Sequence, residues 1–123
     1  MRKQYNFWPG ERGIDAWDVD RLIALSRDFP VMTVPLSSLG EIDSNYWSLD
    51  EHSTIREIAE HVLLVDAADT TYPIILAASG RIMDGMHRVI RTLIGGGSSI
   101  SAVQFEIDPL PDYLDCQPDE LPY

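Results

Sequence analysis

The chain has 123 residues, of which 45% are hydrophobic and 24% charged, and carries a formal net charge of -11. That length suits one domain that buries roughly two-thirds of its extended-chain surface, and the apolar content excludes a disordered chain. The acidic excess repels phosphate backbones, so general nucleic-acid binding is not expected. The longest apolar runs, such as Tyr72–Ala78, fall far short of the ~20 residues that a membrane helix needs.

A single cysteine, Cys116, excludes an internal disulfide and any metal site built on several cysteines. No charged-then-apolar leader opens the sequence, and a cytoplasmic protein is the expectation. Acidic charge is concentrated at the end: Asp108, Asp112, Asp115, Asp119 and Glu120 occur there without a lysine or arginine. A local basic spot can therefore survive elsewhere.

In chain order, residues 1–13 read as an N-terminal arm, with Arg2, Lys3 and Arg12 around Trp8-Pro9-Gly10. From Ile14 to about Arg27, Ile14, Trp17, Arg21, Leu22 and Leu25 recur at helical intervals. Asp15 and Asp18 come early and Arg27 late, as a helix dipole prefers, so a helix is predicted. The β-branched stretch between Pro30 and Pro35 predicts a short edge strand, since proline cannot donate to a ladder. Residues 40–53 then read as a loop rich in Asp, Asn, Ser and Gly.

Ile55, Ile58, Ala59, Val62 and Leu63 share one helical face, and Thr54 with Glu57 forms a capping box, so a second helix is predicted from about Thr54 to Ala68. The run "YPIILAASGRIMDG" has the pattern of a hairpin turning at Ser79-Gly80. After His87 a short helix follows, stopped by Gly95-Gly96-Gly97. "SISAVQFEI" alternates as a strand, and residues 108–123 read as an irregular, acidic, proline-rich tail. The domain proper is thus 14–107.

The stretch "MDGMHR", Met83 to Arg88, carries the chemistry. A strand that ends at a glycine and enters a helix presents unpaired backbone N–H groups where the dipole favours an anion. Gly85 lets a phosphate approach the backbone, while His87 and Arg88 add donors. Asp84, beside these cations, is expected to be ionised and able to hold a magnesium water or accept a proton. A structural reading stands beside this one: Asp84 caps the helix, Gly85 makes the turn, His87 is a satisfied structural residue and Arg88 pairs with an acid.

Other candidates read as structural. His52 and His61 are nine apart and cannot form a helical metal pair. The acidic tail raises the thiol pKa of Cys116, which argues against a reactive role. Trp8, Trp17 and Trp47 read as core anchors, with Trp47 also able to line a pocket beside Glu41. Arg81 and Arg91 read as solvated surface positions flanking the motif.

On "YPIILAASGRIMDGMHRVIRTLIGGGSSISAVQF", Tyr72 to Phe105, the chain resembles the ParB/sulfiredoxin superfamily, with "VMTVPLSSL" and the helix after Thr54 matching more loosely. Sulfiredoxins have Gly-Gly-Cys-His-Arg at the motif. Met86 stands where their reactive cysteine would be, which removes sulfinic-acid reduction. ParB partition proteins have Gly-Glu-Arg-Arg; Gly85 and Arg88 match it, Met86 and His87 do not, and no room is left for separate DNA-binding and dimerisation domains. The free-serine-kinase branch has Asp-Gly-His-His-Arg, matched at Asp84, Gly85, His87 and Arg88 with Met86 in place of the first histidine.

The resemblance implies a small α/β (α+β) domain with a mixed sheet and flanking helices. It implies a nucleotide, such as ATP with Mg2+, or a phosphorylated small molecule, held by Gly85, Met86, His87 and Arg88. Asp84 would be the metal contact or base. Glu41, with Asp43 as substitute, occupies the place of that branch's upstream catalytic glutamate. Phosphoryl transfer or hydrolysis is the catalytic version of this expectation. The alternative is a non-catalytic regulatory protein that uses its acidic surface to bind a basic protein partner.

Overall fold

A computed structural model gives the fold, with residues 3–44 and 54–123 described; the expectations for Trp47 and His52 lie outside them. The described residues form a small α+β domain of three α-helices and two sheets. No helix among them is long and apolar enough to cross a membrane.

The first sheet contains β1 (Tyr5–Pro9), β2 (Ile14–Asp18) and β7 (Tyr113–Cys116), in the order β1-β2-β7 and antiparallel throughout. Residues 5–9, expected in an arm, are therefore a strand, and part of the expected tail pairs with β2. The helix predicted from Ile14 is corrected as well: β2 occupies Ile14–Asp18, and helix α1 is only Val19–Ser26. The Gly10 N–H bonds to the Gly13 carbonyl at 2.7 Å and closes the hairpin. Two partner strands then override the local helical periodicity of residues 14–18. Asp18 caps α1 by accepting from the Asp20 N–H at 2.9 Å.

The second sheet has the order β3-β6-β4-β5, from β3 (Met32–Pro35), β4 (Ile74–Leu76), β5 (Ile82–Asp84) and β6 (Ser99–Gln104). β6 and β4 are parallel and the other pairs antiparallel, so the sheet is mixed. β3 lies at an edge, as its prolines predict, and β4 with β5 forms the predicted hairpin.

Period-two alternation places this sheet between two apolar layers. Ile74, Leu76, Ile82, Ile100 and Ala102 face one side and pack with Met86 and Val89 of helix α3 (Met86–Ile94) and with Leu36 and Leu39. Ile75, Met83, Val103 and Phe105 face the other and pack with Trp17 and Leu22. Helix α2 (Ile55–Ala67) starts where the capping residue predicts, with Thr54 Oγ1 accepting from the Glu57 N–H at 3.1 Å. Unlike α1 and α3, it contributes nothing to the buried core.

The sheets meet at Arg81. Its guanidinium lies 4.4 Å from the Trp8 ring centroid and 5.0 Å from that of Trp17, and it donates to Asn6 Oδ1 at 2.7 Å. Expected as a solvated rim residue, Arg81 is instead the cation of this junction. Trp17 is buried and donates through Nε1 to the Pro109 carbonyl, whereas Trp8 is half-exposed.

Candidate functional site

β5 ends at Asp84, and the chain enters α3 through Gly85, whose φ of 112° makes it the left-handed N-cap. A Cβ at this position would lie 2.6 Å from Ile74 Cγ2 and 2.9 Å from Arg88 Nη2. Gly85 has no side chain with which to cap the helix. The first-turn amides of α3 thus face outward from the helix without intrahelical partners, at the end where the dipole is positive.

Arg88 does not extend into solvent as a free phosphate clamp. Its Nη2 donates to Asp84 Oδ2 at 2.9 Å, and its Nη1 donates to the carbonyls of Pro73 at 2.9 Å and Tyr72 at 3.3 Å. One side chain thereby ties together the approach to β4, the end of β5 and the first turn of α3. Burial pushes the Asp84 carboxyl above its ordinary value, and the Arg88 guanidinium pulls it part of the way back.

Mg2+ takes oxygen ligands and is usually held by one or two carboxylates together with substrate phosphates. Asp84 Oδ2 instead faces a guanidinium, an arrangement that suits an ion pair and not a cation site. Among the described residues no group of three or more His, Cys, Asp or Glu side chains is placed to hold a metal.

Glu41 lies in a 3-10 turn, Gly40–Asp43, and accepts from the Ile82 N–H through Oε1 at 2.7 Å. Ile82 is on the edge strand, two residues before Asp84, so Glu41 is moored roughly 7 Å of strand upstream of it. Burial raises its pKa, opposed by that hydrogen bond and by Arg81. Asn6 Nδ2 reaches the Ile82 carbonyl at 3.5 Å, so two side chains from distant segments cover this stretch of the sheet edge. Asp43, the substitute candidate, is exposed.

His87 is half-buried in the first turn of α3, and its Nε2 lies 2.9 Å from Nδ1 of His61 on α2. The rings are stacked, with centroids 5.1 Å apart. Burial, then His61 and Arg88, push the His87 pKa down to about 4, so at neutral pH the ring is uncharged and the short contact is a hydrogen bond between imidazoles. Sequence reasoning missed His61, which lies 26 positions before His87. Its helical position relative to Val65 was the available signal: both fall on the flank of α2 that meets α3.

Met86 is buried in the core, so only its amide is placed for a ligand. Arg91, expected to be solvated, donates to the carbonyls of Val65 and Asp66 at the end of α2. Cys116 is buried, and burial followed by Glu120, Asp15 and Asp115 raises its thiol pKa. No protein-family model, curated protein or solved structure matches the chain.

Gly85→Ala is expected to destabilise the fold by about 2 kcal/mol or more, from the left-handed backbone and the clash with Ile74. Gly80→Ala, also at positive φ but with open space around it, is expected to cost only about 1 kcal/mol. Urea denaturation of both variants checks the difference; equal losses would show that the close packing at Gly85 is immaterial.

The depressed His87 pKa also predicts a pH dependence. Between pH 6.5 and about 4 the unfolded chain holds a proton on His87 that the folded chain does not. The contribution to stability is therefore full above pH 6.5 and lost as the pH falls toward 4. Asp84 and Glu41, with raised values, act in the opposite sense: their contribution is present at low pH and lost as the pH rises through their folded values. The difference in unfolding free energy between wild type and His87→Gln isolates the histidine. It is expected to shrink from pH 6.5 to 4, and a difference independent of pH would refute the assignment.

Proposed function

We propose that the start of α3 binds the phosphate of a nucleotide or of a phosphorylated small molecule, in a domain of ParB/sulfiredoxin type. The observation that carries this reading is the helix start at Gly85, at positive φ and without a side-chain cap, with His87 in its first turn and His61 held against His87. The motif resemblance supports the same ligand class.

The roles within the site follow from the geometry. The amides of Met86 and His87 supply the donors that an anion needs at a helix start. Arg88 and Asp84 form an ion pair with no net charge, so the carboxylate does not repel the ligand and the guanidinium keeps the first turn in place. His87 and His61 share a hydrogen bond that a dianion can reorganise. A phosphate beside His87 favours the imidazolium, and binding is then coupled to proton uptake.

Any Mg2+ enters with the nucleotide as its counter-ion and is not held by Asp84. Both candidate catalytic carboxylates, Asp84 and Glu41, are engaged in hydrogen bonds that shape the fold. Binding is accordingly favoured over turnover. Phosphoryl transfer or hydrolysis would require one carboxylate to exchange its present partner for substrate.

Calorimetric titration of ATP, ADP, CTP and inorganic phosphate, each with and without Mg2+, tests the proposal. At least one nucleotide is expected to bind with one-to-one stoichiometry. His87→Ala is expected to lower its affinity by ~10–100-fold, the effect of losing a hydrogen bond to a charged group. Absence of binding by every ligand, or an affinity unchanged in His87→Ala, would overturn it.

A further inference from the structure

None of the thirteen residues of α2 is buried, although the helix is rich in aliphatic side chains. Ile55 is 82% exposed, Leu63 69% and Val62 59%, and Ile58 and Leu64 are also exposed. Aliphatic residues scattered singly on a surface are ordinary, but a whole helical face of them marks an interaction site. The helix is nevertheless fixed in place. His61 meets His87, and Arg91 meets the carbonyls of Val65 and Asp66, so α2 and α3 lie side by side and run in the same direction. Those polar contacts leave the aliphatic face pointing away from α3. Ile94, exposed in the last turn of α3, is three positions after Arg91 and so on the flank of α3 that meets α2.

We infer that this face pairs with the same face of a second copy of the chain, α2 against α2 and antiparallel. The charges on the helix are what favour self-pairing. Arg56 stands near its start and Asp66 near its end, ten positions apart and about equidistant from His61. An antiparallel pair centred near His61 brings each Arg56 level with Asp66 of the other copy, giving two symmetric ion pairs. The same register sets Ala59 level with Leu63. The small Ala59 side chain then permits close approach of the helices near the twofold axis. Glu57 and Glu60 fall on the flank of α2 away from this seam, where they stay in water.

The size of the face sets the strength. A helix of this length is roughly 20 Å long, and standard interfaces take ~800 Å² from each partner. A single helix face about 10 Å wide is smaller than that, so the contact belongs with weak, transient interfaces. The net charge of -11 on each copy opposes association, although at physiological salt charges more than ~8 Å apart are largely screened. A dissociation constant in the micromolar range is the expected outcome.

Sedimentation equilibrium of the full chain at 0.15 M salt, from low micromolar to several hundred micromolar, tests the inference. Wild type is expected to show a monomer–dimer equilibrium, and Val62→Asp to abolish it. Arg56→Asp is expected to weaken association at least tenfold, and the double variant Arg56→Asp with Asp66→Arg to restore it. All the substituted side chains are exposed, and circular dichroism melts check that each variant remains folded. A wild type that stays monomeric throughout overturns the inference. So does dimerisation that survives Val62→Asp, or a charge swap that associates no better than Arg56→Asp alone.

Discussion

The arrangement of the site depends on one side chain, Arg88. Its guanidinium joins two carbonyls ahead of β4 to the carboxylate that ends β5, and it does so from the first turn of α3. Partly buried ion pairs contribute little net stability in general, but loss of one partner leaves the other charge unpaired in a poor solvent, which is costly. The pair therefore acts as a geometric lock. With the end of β5 held in register, Gly85 has to turn through positive φ against Ile74, and the helix starts without a side-chain cap. The lock also removes the local charge of Asp84, which would otherwise weaken an anion site at the same helix end.

In the proposed reading, the lock would let a chain with a large acidic excess recognise an anion. The long-range field is repulsive, while the short-range field at the start of α3 comes from backbone dipoles and from the imidazole of His87. His87 is neutral when the site is empty because burial, His61 and Arg88 all oppose its protonation. A phosphate bound as proposed would supply the counter-charge that reverses this balance. Such a site would select by geometry and proton coupling more than by attraction at a distance.

Local signals made much of this legible. The hairpin of β4 and β5, the start of α2 at Thr54, the start and stop of α3 and the alternation of β6 all rest on turn residues, caps and periodicity. What was missed depends on pairing between distant segments. β2 looked helical from Ile14 to Asp18, and its strand conformation comes from β1 and from β7, about 100 positions away. The turn residues Pro9, Gly10 and Gly13 were the overlooked sign of that hairpin. Arg81 and Arg91 looked solvated because their partners, Asn6 with two tryptophan rings and the end of α2, lie far away in sequence. At the site, Asp84, Gly85, His87 and Arg88 were legible as a group from the motif. The division of labour among them was not, because it rests on the carbonyls of Tyr72 and Pro73 and on His61.

The central claim is that an anion binds at the amides of the α3 first turn, and chemical-shift mapping addresses it residue by residue. In 15N-labelled protein titrated with pyrophosphate, the account predicts saturable shifts greatest at Gly85, Met86 and His87, accompanied by movement of the His61 and His87 ring signals. Saturable shifts centred elsewhere, or none at these amides, would contradict it.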